Sequence, residues 1–197
     1  MKTTHREALL AAAGTLLRTQ GYGNITARDL VAASNTNLGS IGYHFGSKEA
    51  LLNEAIGNAL EEWAETMAKA ADAGVGKTPL ERLKISAAAL LDEFEHVRPY
   101  HLAFIEALAR SAHSPELAAQ LARHYERQRD RVAGVLTSTF GLGLDPSVVR
   151  QIATTMIAVT DGLMLQLFAD PTKVPTSEEL ASNLQALVWM RSGGARP

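Results

Sequence analysis

The chain has 197 residues, of which 46% are apolar or aromatic and 20% are charged, and this globular composition excludes a disordered protein. It contains no cysteine, which excludes disulfide bonds, thiolate metal sites and cysteine nucleophiles and favours a cytoplasmic location. The formal net charge is −2, yet residues 1–50 carry five basic and three acidic side chains, so a slightly basic head precedes an acidic remainder.

Three short helices are predicted at the start of the chain. Apolar residues at i, i+3/i+4 and i+7 predict an amphipathic helix over residues 6–20, which Gly21 ends. Thr26, with Asp29 three residues later, is a typical N-cap and predicts a second helix over 27–33. Asn37 is suited to cap a third helix over 38–44. The second and third helices, joined by a turn of about four residues, have helix-turn-helix spacing.

Six longer helices are predicted in the rest of the chain. Their start signals are Ser, Thr or Asp caps, often followed by Pro, and they cover 48–71, 78–97, 100–111, 114–140, 145–169 and 176–190. Pro99 is expected to separate the second of these from the third. No segment predicts a strand, so the fold class is all-α with about nine helices. The apolar stretch 152–169 contains Asp161 and Gly162, and we therefore expect no membrane span.

One segment of the chain resembles a known family. Residues 26–52 read TARDLVAASNTNLGSIGYHFGSKEALL, which is similar to the DNA-binding head of the tetracycline-repressor (TetR) family of bacterial regulators. The likeness covers about residues 6–56 and departs from the family where Asn35 replaces Gly and where Gly42 replaces Tyr, with Tyr43 one place later. The positions on or near the family pattern are Thr26, Leu30, Gly39, Ser40, Ile41, His44, Phe45, Ser47, Lys48, Glu49 and Leu51.

The resemblance implies a helix-turn-helix DNA-binding domain over residues 1–47 and a helical ligand-binding and dimerisation domain over 48–197. Polar side chains at two helix N-termini and on the third helix suit phosphates and base edges. The residues expected at the DNA are Thr26, Asn37, Leu38, Gly39, Ser40, Tyr43, His44 and Lys48.

The residue types in the third helix leave one question open. Gly39 and Gly42 each lower helix propensity by about 1 kcal/mol, so a compensating role is expected. They allow either close approach of the helix to DNA or tight packing against the first helix. Lys48 lies in the first turn of a helix, where a cation opposes the helix dipole, which indicates a nearby phosphate.

The body is expected to bind a ligand and a second copy of the chain. Aromatic and Met side chains are suited to an adaptable pocket without a buried Lys or Arg, which favours an apolar or weakly polar small-molecule effector. The last two helices carry more apolar side chains than one body needs, which predicts a homodimer. The candidate pocket residues are Trp63, Met67, Phe94, Phe104, Tyr125, Met156 and Met164.

Enzymatic chemistry has little support in the sequence. Glu93 and His96 form one half of a di-iron signature, but no second half is present, so we expect no metal, no cofactor and no catalytic residue. The sequence therefore predicts a ligand-responsive homodimeric repressor that binds double-stranded operator DNA. The alternative is a helical-bundle enzyme or small-molecule carrier with an accidental helix-turn-helix.

Overall fold

The computed structural model describes residues 4–73, 76–140 and 143–180, together with 182–183 and 186. Every regular element among these residues is helical. The helices are α1 (His5–Gln20), α2 (Ala27–Ser34), α3 (Leu38–Phe45), α4 (Lys48–Asp72), α5 (Pro79–Asp92), α6 (Phe94–Ser111), α7 (Pro115–Phe140) and α8 (Pro146–Ala169), with short 3₁₀ turns at Tyr22–Asn24 and Pro171–Lys173.

Local capping sets the start of most helices where the sequence predicts it. Thr26 and Thr78 each form a capping box, with Asp29 and Glu81 at the third helical position. Thr176 makes the same hydrogen bonds with Glu179, so the predicted last helix begins at residue 177. The later part of that helix, including the apolar residues expected to support dimerisation, lies outside the described residues.

The expected break at Pro99 is wrong. Pro99 lies inside α6, and the chain breaks six residues earlier, at Glu93. Glu93 is the C-cap of α5, and its backbone N–H donates to the carbonyls of Ala89 and Leu91. Pro99 is near the start of α6, where it removes one helical hydrogen bond without ending the helix.

The chain packs into two compact units. The first contains the described residues up to Glu62 together with Glu95–Arg127, and the second contains Trp63–Phe94 and the described residues from Gln128 onward. These packing units differ from the functional division expected at residues 47 and 48, which stays a prediction.

The core of the first unit draws on α1 to α4, α6 and the first half of α7. Leu9, Ile25, Leu30 and Leu51 are buried together with side chains from later in the chain, among them Tyr100, Phe104, Leu117 and Leu121. The helix-turn-helix therefore shares its core with residues that lie more than fifty positions later in the sequence.

The second unit contains the whole of α8. Leu136, Val149 and Ala153 form a small buried cluster there. Among the described residues, α8 is the helix long and apolar enough to cross a membrane, on length and composition alone. The mean hydropathy of α8 is thus higher than expected for a segment that contains Asp161 and Gly162. Four large apolar side chains of α8 are exposed in the single chain: Val148, Met156, Val159 and Leu165.

Candidate nucleic-acid interface

The turn between α2 and α3 is built by two asparagines. Asn35 adopts the left-handed conformation (φ 51°, ψ 45°) and ends α2, so it replaces the expected glycine in conformation as well as in position. Asn37 caps α3 by accepting a hydrogen bond from the backbone N–H of Ser40 at 3.0 Å. These local hydrogen bonds fix the angle at which α3 leaves the turn.

The outer surface of α3 is open. Leu38 is 55% exposed and Tyr43 is 86% exposed, unusual values for such large side chains. A Cβ atom at Gly42 would meet nothing within 4 Å, and one at Gly39 would meet only the Asn37 side chain. Packing against α1 therefore does not explain the two glycines. We call the surface formed by Asn37, Leu38, Gly39, Gly42 and Tyr43 the α3 surface.

Two of the residues expected at the DNA lie partly or wholly behind this surface. Ser40 is only 7% exposed, and its hydroxyl is 3.3 Å from both His5 Nδ1 and Asn37 Oδ1, so its expected role in DNA contact is replaced by packing against α1. His44 is half-buried, with its ring edge-on to those of Tyr43 and Phe45.

The N-termini of α2 and α4 are linked by Lys48. Its Nζ donates to the carbonyl of Ile25 at 2.9 Å and lies 3.4 Å from the Glu49 carboxylate. Ile25 directly precedes Thr26, the cap of α2, so one ammonium group joins the starts of two helices. Thr26 hydrogen bonds, chiefly from its side chain, lower the pKa of the Asp29 carboxyl. Two helix N-termini beside a cation form a suitable environment for a phosphate.

The role of Arg6 is not predictable from the local sequence. Its guanidinium lies 5.3 Å from the centre of the Phe45 ring, and it pairs with the carboxylate of Glu54. Arg6 therefore connects α1 to the end of α3 and to α4. Pairing of residues 48 positions apart leaves no signal in local sequence patterns.

The structure divides the seven candidate pocket residues between the two units. Phe104 and Tyr125 belong to the first unit, with ring centres 5.7 Å apart. The other five belong to the second unit: Trp63, Phe94 and Met164 are buried, Met67 is half-buried, and Met156 is 37% exposed. Of the seven, Phe104 lines the cavity described next.

A cavity of about 390 Å³ lies within the first unit, between α4, α6 and α7. We call it the α4–α7 cleft. Its lining includes Asn53, Gly57, Asn58, Phe104, Gln120 and His124. On α4, Asn53, Gly57 and Glu61 recur every four positions. A row of such polar and small residues is normally typical of a solvated face, so the sequence does not indicate the cleft.

The described part of the chain contains no cluster of three or more His, Cys, Asp or Glu side chains suited to a metal ion. His96 and Glu93, the residues of the half-signature, lie at the junction of α5 and α6. The features that the described residues offer for recognition are an exposed helix surface, helix N-termini and a polar cleft.

Two family descriptions match most of the chain. "Bacterial regulatory proteins, tetR family" matches residues 9–55, which span α1 to the first part of α4. "BetI-type transcriptional repressor, C-terminal" matches residues 79–188. The second match alone covers more than half of the chain.

Relatives and solved structures agree with these matches. The HTH-type transcriptional regulator BetI of Burkholderia thailandensis is 26% identical over 167 residues, which cover 84% of this chain and 83% of that protein. A transcriptional regulator from Rhodococcus sp. Rha1 superposes with a TM-score of 0.65 at 21% identity, covering 98% of this chain and 100% of the other. The multidrug binding protein EbrR, crystallised with imidazole, gives 0.64 at 23% identity and covers 93% of both chains.

Proposed function

The chain belongs to the TetR family of bacterial transcriptional regulators, and we propose that it is a homodimeric repressor that releases its operator when a small molecule binds. Members of the family are DNA-binding regulators and not enzymes, which removes the alternative of an enzyme or carrier with an accidental helix-turn-helix. A cytoplasmic location follows from that role, since the operator lies in bacterial DNA.

The observation that carries the DNA-binding proposal is the openness of the α3 surface. Exposed Leu38 and Tyr43 flank two glycines, and apart from the Asn37 side chain nothing lies within 4 Å of a Cβ atom built at either one. The backbone of α3 is therefore free to approach a groove closely. Apolar side chains on such a surface contact thymine methyl groups in the major groove. The remaining proposed contacts are Thr26, Asn37, His44 and Lys48, which suit phosphates and base edges.

A dimer is proposed because one head offers few positive charges and a small contact area. Two copies bound to half-sites one helical turn apart, about 34–36 Å, would double both. The exposed apolar side chains of α8 support this helix as part of the dimer contact. The family resemblance implies that the last helix pairs with it.

The proposed switch uses α4 as a lever. The helix runs without interruption from Lys48, at the proposed phosphate contact, past Trp63 and Met67, which are candidate pocket residues. A rise of 1.5 Å per residue separates Lys48 from Trp63 by about 22 Å. An apolar or weakly polar effector against Trp63 would tilt α4 and change the separation of two heads, with a typical coupling of about 1–3 kcal/mol.

The DNA-binding proposal is tested with DNA from upstream of the gene that encodes the chain. Leu38→Ala should weaken binding in a gel-shift or anisotropy assay, because it removes an apolar contact in the groove. Leu102→Ala is the matched control, since Leu102 is also an exposed leucine of the first unit but lies on α6. If both variants bind this DNA as tightly as the unaltered protein, the assignment of α3 as the DNA-recognition helix is refuted.

A further inference from the structure

We propose that the α4–α7 cleft binds a small uncharged ligand that exchanges a hydrogen bond with His124, and that this ligand acts as an effector from a site separate from the one proposed against Trp63. The first part stands without the proposed function. The second part rests on it, because an effector role needs a DNA-binding activity to control.

The strongest observation is the environment of His124. The residue is 5% exposed, and both ring nitrogens are buried without a hydrogen-bond partner in the described structure. Its ring packs against Phe104, with the centres 5.5 Å apart, and the residue lines the cleft. Buried polar atoms are nearly always hydrogen-bonded in native proteins, so two orphaned nitrogens at a cavity wall indicate a missing partner.

The charges around the cleft favour an uncharged ligand. Burial, with a further contribution from Arg127, lowers the pKa of His124 to about 4, so the ring is neutral at pH 7 and offers one donor and one acceptor. Glu61 accepts a hydrogen bond from Arg127 Nε at 2.9 Å, and Glu54 pairs with Arg6. Both lining carboxylates are therefore compensated, and the two lining arginines, Arg123 and Arg127, are exposed to solvent. A charged ligand would lose its hydration without gaining a buried counter-ion.

Gly57 keeps the imidazole accessible from the cleft. A Cβ atom at this position would lie 3.4 Å from His124 Nδ1 and 3.6 Å from Arg127 Nη2. A larger side chain would extend into the space in front of the ring. Ile56, Phe104 and Leu121 add apolar surface to the same lining, so the ligand combines an apolar body with a hydrogen-bonding group.

The cleft is connected to the helix-turn-helix by a chain of hydrogen bonds within the first unit. The Tyr22 hydroxyl donates to Asn53 Oδ1 at 3.3 Å, and Asn53 Nδ2 donates to Gln120 Oε1 at 2.9 Å. Asn53 and Gln120 also line the cleft, on α4 and α7. A ligand that alters the spacing of these helices therefore changes a bond that holds the 3₁₀ turn before α2.

Three probes of similar shape and different charge test the site: benzamide, benzoate and phenyltrimethylammonium. The full chain without DNA is titrated with each, and the ring nitrogens of His124 are followed by long-range proton–nitrogen NMR, assigned with the His124→Phe variant. Benzamide should bind with a Kd of about 1–10 mM and shift the His124 nitrogens. Unchanged His124 nitrogens with benzamide, or tighter binding of either charged probe, would overturn the proposal.

Two variants separate loss of the site from loss of the fold. Gly57→Leu should abolish the benzamide response by filling the cleft, while amide NMR shows that the chain remains folded. Gly134→Leu is the control, because a Cβ atom at Gly134 on α7 meets nothing within 4 Å. A benzamide affinity in Gly57→Leu within twofold of that in Gly134→Leu would place the probe elsewhere and refute the site.

The effector role is tested separately, by measuring DNA affinity with and without benzamide. Saturating benzamide should weaken binding to the upstream DNA at least about fivefold in the unaltered chain and leave Gly57→Leu unaffected. If benzamide binds His124 but DNA affinity is unchanged, the site stands and the effector role is refuted. If the chain binds no upstream DNA even without benzamide, the proposed function fails while the NMR result still decides the site.

Discussion

Gly42→Ala should stabilise the free protein and weaken its binding to DNA. Gly42 lies inside α3, and a Cβ atom added there meets nothing within 4 Å. The free protein therefore gains helix propensity without strain. In the DNA complex, the same methyl group would stand between the α3 backbone and the groove. Gly39 offers no such clean test, because its Cβ atom would press at 3.1 Å on the cap oxygen of Asn37.

The two effects have opposite signs and measurable sizes. Replacing glycine by alanine in an exposed helix interior contributes about 1 kcal/mol to the free energy of unfolding. In a chain of this length that raises Tm by about 2–4 °C. An extra methyl group in a closely packed contact costs about 1–3 kcal/mol. Affinity should therefore fall by about five- to 150-fold at each half-site.

Thermal unfolding and fluorescence anisotropy with upstream DNA measure the two quantities on the same sample. Gly134→Ala is the control, because Gly134 is also an unobstructed helical glycine but lies on α7. It should raise Tm by a similar amount and leave DNA affinity unchanged. If Gly42→Ala raises Tm and binds DNA as tightly as the control, the α3 backbone does not approach the groove closely, and the reasoning is refuted.

Four further predictions concern other parts of the molecule. Lys48→Ala should weaken binding to all DNA sequences and reduce the slope of log affinity against log salt by about one unit per half-site; an unchanged slope removes Lys48 from the phosphate contacts. Met156→Glu combined with Val159→Glu should give monomers in sedimentation that bind operator poorly, because charges then occupy the exposed face of α8; a dimeric double variant excludes that face. Trp63→Ala should reduce the response to effector and leave DNA affinity without effector nearly intact; an equal response places the lever contact elsewhere. Burial lowers the pKa of His124 to about 4, so the folded protein binds fewer protons than the unfolded chain between about pH 4 and 6.5. The free energy of unfolding should therefore fall as the pH is lowered through this window. In His124→Phe it should fall less steeply.

Local chemistry made the helix starts predictable. The caps at Thr26, Asn37 and Thr78 act through atoms three residues away, so short sequence patterns contain all the information that is needed. The break between α5 and α6 was not predictable in this way. Pro99 is the stronger local signal, but α5 ends at Glu93, and both Phe94 and Val97 just after it are buried.

In the candidate sites, too, some features follow from the local sequence and others depend on residues that are distant in sequence. The exposed positions of α3 follow from its helical period and its resemblance to a family, whereas the burial of Ser40 depends on His5, thirty-five positions earlier. The α4–α7 cleft depends on which helix lies opposite a polar face, and sequence periodicity does not contain that information. The sequence around His124 therefore predicts a charged surface, although its ring is among the most deeply buried polar groups of the described chain.

The interleaved core of the first unit sets the order in which the protein matures during synthesis. Leu9, Ile25 and Leu30, which support the helix-turn-helix, are enclosed by Phe104 and Leu121 from much later in the chain. A nascent chain that has released only the first three helices lacks the side chains that α4, α6 and α7 contribute to this core. The helix-turn-helix therefore reaches its final packing only after α7 has left the ribosome. An isolated N-terminal fragment should be less well folded than the whole protein.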